Sequence, residues 1–461
     1  MRRRLPVVAL IFLVLFVLVA VDRLNPVARR TTVEAAIGDP QPVAPDPAAG
    51  NGAWFCPGGP TERVDQGDTS VVLANDGPVP IAARVTALPS TGANKDPVVK
   101  TVHVEAMSSS TVRLADLLGA AVPAGAMVIA GPGLVVQQLS KAPEGLVASP
   151  CASGASDRWY TAAGSTAAGT AHFLTLLNPF PGDAIADLSF ATDQGPTIPA
   201  DLQGVLVPGR SLVVLDVGDK VRRRDEVAAN VSLRKGRIVV GRSYRKGSAT
   251  SVALAAPAAD SNWYLSAGLK AEGTTNRLVV VNPSDGDAEV TAELRLQEGA
   301  AEPIVVDVPA RSRVSINLDD EKVPKGVPYG LVVRSTDDVP IVVERSVETK
   351  TGRSDVLASR IASRRWVSAA GGARGADNLA VLNTGEGEAG VAVQVLDGSG
   401  RSISDQPLRI APGGRGSLKL PDDVKGRAVR VVADQPIVVE RSSGEGSPTT
   451  GGAVAVPLGR A

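Results

Sequence analysis

The chain has 461 residues, a formal net charge of +0 and a sequence pI of about 6.8. A neutral chain lacks the excess of lysine and arginine with which proteins bind nucleic acid, so we expect no nucleic-acid partner. Aromatic residues make up only 3 % of the chain, which is too few for an extended surface on which sugars or bases stack. The 48 glycines and 34 prolines favour turns and short strands over long helices.

The N-terminus predicts a membrane anchor. Residues 1–4 carry three arginines and are interpreted as a cytoplasmic tail, and residues 5–21 form an uncharged apolar run that would be about 25 Å long as a helix. We interpret this run as an uncleaved transmembrane signal-anchor with the rest of the chain outside the cell. Residues 22–53, rich in proline and alanine, are expected to form an extended linker. The alternative is a cleaved signal peptide and a secreted protein.

The four tryptophans of the chain recur at intervals of 105, 104 and 103 residues, and an asparagine follows each of them. This spacing predicts four related repeats, which occupy residues 54–157, 158–261, 262–364 and 365–461. Repeats of this length can each bury a hydrophobic core. We expect the tryptophans to pack in these cores and the asparagines to bond locally in turns. The repeat anchors are Trp54, Trp159, Trp263, Trp366, Asn75, Asn178, Asn282 and Asn383.

Each repeat contains seven or eight short segments of alternating or β-branched character, separated by turn signals. This pattern predicts an all-β fold of four tandem β-sandwich repeats of immunoglobulin-like type. A β-propeller with two blades per repeat is the alternative. Only a few residues separate one repeat from the next, so we expect a stiff rod or a compact array.

The string PIVVERS occurs at 340–346 and again at 436–442, with weaker copies RIVVGRS at 237–243 and GLVVQQL at 133–139. Its apolar centre is typical of the core face of a strand. Neighbouring residues on a strand point to opposite faces, so one residue of each Glu-Arg pair must point inward or toward another repeat. A structural role between repeats is one hypothesis. Contact with a partner molecule is the other, and its candidate residues are Glu344, Arg345, Glu440 and Arg441.

The chain has two cysteines, Cys56 and Cys151, near the two ends of the first repeat. The first and last strands of a sandwich can lie side by side, so we predict a disulfide that closes a loop of about 95 residues and stabilises the repeat by roughly 2–4 kcal/mol. Two free buried thiols are the alternative. Neither cysteine has neighbours at the spacing of zinc ligands.

No motif in the sequence indicates catalysis, a cofactor or a metal site. The glycine-rich string at 385–390 fits a dinucleotide-binding pattern, but a strand rather than a helix is predicted after it, so we interpret it as a hairpin turn. The two histidines, His103 and His172, occupy unrelated positions of different repeats. We therefore expect no enzyme activity, no cofactor and no metal.

The pattern W…NP…PIVVERS, repeated behind an N-terminal anchor and opened by WFCPGG at 54–59, resembles an actinobacterial family of membrane-anchored extracytoplasmic proteins of unknown function. The resemblance covers roughly residues 54–461. The first repeat departs from it, because Gln137-Gln138 replace Glu-Arg and Asn75-Asp76 replace Asn-Pro. The resemblance implies a role in the cell envelope, near polysaccharide assembly, and transfers no catalytic residue.

The expected function is that of a non-enzymatic, membrane-anchored extracytoplasmic scaffold or partner-binding protein of the cell envelope. The expected partners are the membrane, through the N-terminal helix, and envelope proteins or cell-wall glycan. A cell-wall glycan-binding protein, which holds glycan in clefts between repeats, is the alternative. An envelope enzyme with a site in one divergent repeat is a weaker one.

Overall fold

The fold was analysed in a computed structural model, which describes residues 52–59, 69–119, 122–142, 145–247, 249–319, 323, 325–350, 353–371, 376–404, 406–444 and 451–458. The prediction of an all-β chain is confirmed, because nearly all regular structure is antiparallel strand. Within the described ranges, no helix is both long and apolar enough to cross a membrane. The predicted anchor at 5–21 lies outside these ranges.

Repeats 1 and 2 are each composed mainly of short strands. Repeat 1 comprises β1 (Gly52–Cys56), β2 (Thr69–Asn75), β3 (Ile81–Pro89), β4 (Val98–Val104), β5 (Ser108–Arg113), helix α1 (Ala115–Leu118), β6 (Ala124–Ala130), β7 (Leu134–Ala142) and β8 (Gly145–Pro150). Repeat 2 comprises β9 (Arg158–Thr161), β10 (Thr170–Asn178), β11 (Ala184–Thr192), β12 (Gly195–Thr197), a 3-10 turn (Ala200–Leu202), β13 (Gln203–Val207), β14 (Ser211–Asp216), β15 (Val227–Lys235), β16 (Val239–Lys246) and β17 (Ala249–Leu254).

Repeats 3 and 4 have the same plan. Repeat 3 comprises β18 (Asn262–Leu269), β19 (Thr274–Asn282), β20 (Ala288–Arg295), β21 (Ile304–Val308), β22 (Ser312–Asn317), β23 (Pro328–Ser335), β24 (Val342–Thr349) and β25 (Arg353–Leu357). Repeat 4 comprises β26 (Ser363–Ser368), β27 (Ala376–Asn383), β28 (Ala389–Val395), β29 (Leu408–Ile410), β30 (Arg415–Lys419), β31 (Val429–Gly444), β32 (Gly451–Val454) and β33 (Val456–Pro457).

Each repeat consists of two antiparallel sheets with the same strand order. In repeat 3 one sheet runs β18-β23-β20-β21 and the other runs β22-β19-β24-β25, and repeat 1 has the same two orders. Repeat 2 splits its fourth strand into β12 and β13. Repeat 4 fuses its sixth and seventh strands into the single long strand β31, which belongs to both sheets.

Alternation along the strands explains why the two sheets pack together. In β20 buried residues alternate with more accessible ones, as expected for a strand with one face in a core. β19 is buried from Leu278 to its end at Asn282. The side-chain NH2 group of Asn282 donates to the backbone carbonyls of Gly286 and Val308, and its side-chain oxygen accepts from the backbone N–H of Ser284. This bonding ends the strand in a tight turn. The equivalent asparagines of the other repeats, which bond in the same way, are Asn75, Asn178 and Asn383.

The tryptophans join the two sheets of each repeat. Trp263 lies on the first strand of repeat 3, is 0 % exposed, and donates its indole N–H to the carbonyl of Ile341 at 2.9 Å, directly before the seventh strand. The other three indoles lie at equivalent positions and are at most 1 % exposed. They donate to the matching carbonyls of Leu134, Ile238 and Ile437, from Trp54, Trp159 and Trp366 respectively.

One strand from near the end of each repeat lies at the centre of the molecule, and these strands are β8, β17, β25 and β32. β8 contacts β17 and β32, and β25 contacts the same two strands, so the four strands surround a common axis. They are not paired as one hydrogen-bonded sheet. They line a mainly apolar cavity of about 40 Å³. Repeat 4 therefore returns to contact repeat 1, and the four repeats form a closed ring rather than a rod.

The predicted disulfide is confirmed. Cys56 at the end of β1 is bonded to Cys151 just after β8, with their Cα atoms 4.5 Å apart and a sequence separation of 95 residues. Phe55 and Ala152 exchange two backbone hydrogen bonds beside it. The disulfide therefore joins the beginning and the end of repeat 1.

Candidate functional site

We call the contact between two adjacent repeats of the ring a seam and number it by the repeats that it joins. Two consecutive positions of the seventh strand contribute to the four seams. We call the first of them the acceptor position, because its side chain accepts backbone hydrogen bonds from the preceding repeat. The next residue is called the arginine position. The acceptor positions are Gln137, Gly241, Glu344 and Glu440, and the arginine positions are Gln138, Arg242, Arg345 and Arg441.

At the 2–3 seam, the carboxylate of Glu344 reaches into repeat 2. The amides of Ala162 and Ala163, the third and fourth residues after Trp159, donate to its two oxygens at 2.9 and 3.2 Å. Glu344 is only 1 % exposed. Buried backbone N–H groups need an acceptor, and here the neighbouring repeat supplies it.

The same geometry recurs at two other seams. At the 3–4 seam, Glu440 accepts from the amides of Ser266 and Ala267 at 2.5 and 3.1 Å. At the 4–1 seam, Gln137 accepts from the amides of Ala369 and Ala370 at 2.7 and 3.1 Å. The donors are again the third and fourth residues after a tryptophan. Repeats 3 and 4 therefore each supply the acceptor at one seam and the two donors at the next, and the same interaction at the 4–1 seam closes the ring.

The 1–2 seam lacks both halves of this interaction. The third residue after Trp54 is Pro57, which has no backbone N–H to donate. The matching acceptor position is Gly241, which has no side chain to accept. The remaining donor, the amide of Gly58, is taken up within repeat 1 by Gln138 at 2.9 Å. At the 1–2 seam the backbone donor of residue 57 and the side-chain acceptor of residue 241 are thus absent together.

We expect Gly241→Ala to destabilise the protein by about 1–3 kcal/mol. A Cβ atom at this position would lie 2.7 Å from Cγ of Pro57 and 2.7 Å from Oγ1 of Thr175, so the seam would have to open. Urea unfolding measures the effect. Gly286→Ala is the matched control, because its new Cβ would meet no atom within 4 Å. Equal midpoints for the two variants would contradict this account of the 1–2 seam.

The arginine positions add charge pairs to two seams. Arg345 donates from Nη2 to Glu440 at 2.9 Å, across the 3–4 seam. Arg242 lies 2.8 Å from Glu344 across the 2–3 seam, in an ion pair rather than an aligned hydrogen bond. Arg441 instead forms a two-point ion pair with Asp377 of its own repeat, at 2.8 and 2.6 Å.

The four residues considered as partner contacts are therefore inside the ring. Glu344, Arg345, Glu440 and Arg441 are between 1 and 4 % exposed. Their side chains are buried between repeats or within one. These contacts are those of the structural hypothesis, and the described geometry gives the four side chains no surface on which to touch a partner.

A buried polar cluster extends from Arg242 behind the 2–3 seam. Arg353 donates to Asp355 at 2.8 and 3.0 Å and lies 3.9 Å from the centre of the Tyr244 ring. Burial alone would raise the pKa of Asp355, but Arg353 and Arg242 outweigh it and hold that pKa well below its ordinary value. The carboxylate therefore stays ionised at neutral pH and balances the guanidinium groups around it.

His172 is the neutral member of this cluster. It is 1 % exposed, and burial, reinforced by Arg242 and Arg353, lowers its pKa from 6.5 to about 3. Neither ring nitrogen has a hydrogen-bond partner within the described structure. A protonated imidazole would add a third positive charge to the cluster, so the folded protein keeps His172 neutral.

We expect the protein to lose stability as the pH falls below 6.5. The unfolded chain protonates His172 near pH 6.5 and the folded chain only near pH 3, so protons favour the unfolded state in this interval. Between pH 6.5 and 5 the loss from this group is about 2 kcal/mol. Urea midpoints at several pH values measure it. His172→Phe should remove this part of the dependence of stability on pH, whereas His103→Gln, at an exposed position, should leave it unchanged. An unchanged slope in His172→Phe would refute the assignment.

A second feature of the 2–3 seam is an open cleft of about 1030 Å³. Its floor is the outer face of the repeat 2 sheet, including Ser189, Ala191 and Asn230, and its facing wall is formed by the turns of repeat 3 around Ser284 and Arg311. We call it the 2–3 cleft.

Small side chains explain why this seam is open. At the 1–2 seam the outer face carries Leu88 and Met127, and Phe180 of repeat 2 closes against Phe55 with ring centres 6.4 Å apart. Strand pairing shows the equivalent residues at the 2–3 seam. Ala191 replaces Leu88, Asn230 replaces Met127, and the turn that presents Phe180 has Ser284 in its place.

A loop also bridges each of the other seams by a backbone hydrogen bond. The pairs are Thr91 N to Leu212 O, Arg415 N to Leu296 O and Gly398 N to Met107 O, at 2.8, 2.9 and 2.7 Å. Repeat 2 has instead a two-residue turn between β11 and β12, and among the described residues no such backbone bond crosses from this turn to repeat 3. Besides the contacts of Glu344, an ion pair between Glu226 of repeat 2 and Arg313 of repeat 3 joins the 2–3 seam.

Sequence reasoning singled out Glu344 and Glu440 but missed their donors and the whole 2–3 cleft. In the sequence, Gly241 at the acceptor position and Pro57 at the donor position are the signal that the 1–2 seam differs from the others. In the described part of the chain, no group of three or more histidine, cysteine, aspartate or glutamate side chains is placed to hold a metal ion.

Residues 124–421 match the sequence model of a family described as a family of unknown function, DUF5719. The chain belongs to this family. The match spans repeats 2 and 3 completely and ends within repeat 4. It agrees with the expected resemblance to a family of unknown function. No curated protein matches the chain.

Among solved structures, this DUF5719 chain is similar over short stretches to two small proteins. A crystal structure of Thermotoga maritima 1070 is 19 % identical over 22 % of this chain and 94 % of its own, with a TM-score of 0.20. The Anabaena sensory rhodopsin transducer is 22 % identical over 19 % of this chain and 93 % of its own, with a TM-score of 0.18. A tetra-tandem repeat from the extending region of a large adhesion protein is 13 % identical over 89 % of this chain and 100 % of its own, with a TM-score of 0.12.

Proposed function

We propose that the chain is a non-enzymatic, membrane-anchored extracytoplasmic scaffold or partner-binding protein of the cell envelope. The observation that carries the proposal is the closed ring, in which buried side chains at three seams reach the backbone of the preceding repeat. Such a ring holds its surface loops in fixed positions, and a preorganised surface loses little entropy when it binds. The disulfide in repeat 1 supports an oxidising location outside the cytoplasm.

The proposal includes the finer architecture. An anchor at 5–21 and a linker at 22–53 precede four immunoglobulin-like sandwich domains. These domains occupy residues 54–157, 158–261, 262–364 and 365–461. The cytoplasmic N-terminus, and membership of the actinobacterial proteins with W…NP…PIVVERS repeats, belong to the same proposal. Release after signal cleavage is the alternative location.

The partner site in this proposal is the 2–3 cleft. A bridging loop crosses each of the other three seams, and an aromatic pair also closes the 1–2 seam. Among the described residues neither feature closes the 2–3 cleft, and clefts of this size between domains are common binding sites. Ile198 at its rim is 67 % exposed, as expected of a large apolar side chain that contacts a partner.

Photo-crosslinking in the native envelope tests the proposal. A photoreactive amino acid at Ile198 is compared with one at Leu206, which is 55 % exposed on β13 of the same repeat but does not line the cleft. We expect discrete adducts from Ile198 and none, or different ones, from Leu206. Identical products from both positions would contradict the cleft as the partner site. Turnover of envelope polymers by the purified full-length chain would favour the envelope enzyme instead.

A further inference from the structure

We propose that the 2–3 cleft binds a short stretch of an uncharged glycan chain. This inference rests on the proposed function and deepens it, because it names the class of ligand at the same cleft. It is carried by three properties of the described residues: the balance of charge along the cleft, an unpaired acceptor in its floor and the apolar character of its rim.

Charges in the cleft are balanced. Arg311 donates to Asp285 at 2.6 Å, and Arg360 donates to Asp260 at 3.3 Å. Arg158 and Asp157 also line the cleft, one positive and one negative. A balanced surface gives no net attraction to a polyanion or a polycation. It does present donors and acceptors side by side, and a sugar hydroxyl, which is both donor and acceptor, matches that alternation.

The floor contains an acceptor that lacks a donor. Oδ1 of Asn230 is buried and has no hydrogen-bond partner within the described structure. Asn230 lies opposite Ser189 on the neighbouring strand, so two neutral polar side chains adjoin on the floor. Asn230 as a whole is partly exposed on the floor of the cleft, so a rotation of its side chain would turn Oδ1 toward a ligand O–H and remove the cost of this unpaired group.

The same position is satisfied differently in each of the other repeats. Its equivalents, found from the strand pairing with the tryptophans, are Met127, Val332 and Arg430. The first two are apolar, and Arg430 is bonded to Gln394 and Asp76. The unpaired acceptor therefore occurs only where the seam is open, which is the arrangement expected of a ligand contact and not of a repeated structural element.

The rim is apolar without being aromatic. Pro196 and Ile198 border the cleft on repeat 2, and Pro283 and Pro340 border it on repeat 3. Tyr160 and Phe190 line it but are only 7 % and 3 % exposed, so neither of these two aromatic rings lies open for stacking. The apolar faces of proline rings can contact the C–H faces of a sugar. With a volume of about 1030 Å³, the cleft has the size of a large ligand pocket and suits a short oligosaccharide.

Binding of the full-length, detergent-solubilised chain to neutral trisaccharides tests the inference. The probes are trisaccharides of mannose, glucose, galactose and N-acetylglucosamine, with a glutamate-rich peptide as comparator. We expect at least one trisaccharide to bind. In Asn230→Met we expect its dissociation constant to rise about tenfold, the effect of one lost hydrogen bond.

A filled cleft provides the stronger variant. Ala191→Leu, Asn230→Met and Ser284→Phe together install the side chains of the closed 1–2 seam, and we expect them to abolish binding. Leu206→Thr, outside the cleft, is the matched control and should bind normally. The thermal midpoint of each variant verifies folding. Binding that survives the filled cleft, or no binding of any trisaccharide, would overturn the inference. Selective binding of the acidic peptide would also overturn it, while leaving the proposed partner-binding function intact.

Discussion

Replacing Glu440 by alanine is expected to destabilise the ring by about 3–5 kcal/mol, as when one partner of a buried ion pair is removed. The carboxylate neutralises Arg345, which is 4 % exposed, and accepts the amides of Ser266 and Ala267. Its loss leaves one buried charge and two buried N–H groups unpaired. Urea unfolding at pH 7.5 measures the change.

The chain itself suggests the control. Gln137 shows that a neutral amide can accept both backbone N–H groups of a seam. The double variant Arg345→Gln/Glu440→Gln places the same acceptor at the 3–4 seam and removes the guanidinium that faces it. It should therefore lose much less stability than Glu440→Ala. If the single and double variants unfold at the same urea concentration, the buried charge is not the cause.

Replacing Trp263 by alanine is expected to cost about 3–5 kcal/mol, in line with other deletions of buried aromatic side chains. The ring is 0 % exposed, and its N–H donates to the carbonyls of Asp260 and Ile341 at 3.0 and 2.9 Å. The substitution leaves a cavity between the two sheets of repeat 3 and removes the bond that joins the first strand to the seventh. Thermal and urea unfolding both report it.

Trp263→Phe separates the two effects. It retains most of the packing volume but removes both hydrogen bonds, so its loss should lie between that of Trp263→Ala and zero. Phe55→Leu, a milder change of a buried ring at the 1–2 seam, serves as a volume control. A Trp263→Ala protein as stable as the parent would show that repeat 3 does not depend on its tryptophan for its core.

Several elements of the fold were predictable from local chemistry. β20 has the apolar–polar alternation from which the sequence predicts strands, and it ends at Arg295 because the following residues turn. The glycine-rich string at 385–390 forms the turn before β28 and the first two residues of that strand, in agreement with the predicted hairpin turn. The disulfide followed from the positions of Cys56 and Cys151 within one repeat. In each case the determining residues lie in one strand, one turn or one repeat.

The ring and the cleft were not predictable in this way. The donors to Glu440 lie about 170 residues earlier in the chain, and the donors to Gln137 about 230 residues later. Nothing in the strand pattern around either residue indicates which repeat it will meet. The 2–3 cleft arises from residues that are small in comparison with Leu88, Met127 and Phe180, and these comparisons require the strand register of the three-dimensional structure.

The 4–1 seam differs from the other three in one further respect: no short peptide connection joins its two sides. Repeats 4 and 1 must therefore find each other as two separate proteins do, after repeat 4 has been synthesised. Its composition suits such an encounter. Asp76 pairs with Arg365 and Arg430 at 2.7 and 3.1 Å, and opposite charges of this kind guide approaching surfaces. At the acceptor position, Gln137 is uncharged and is cheaper to dehydrate than a carboxylate. Closure of the ring thus resembles the docking of a partner that happens to be carried on the same polypeptide.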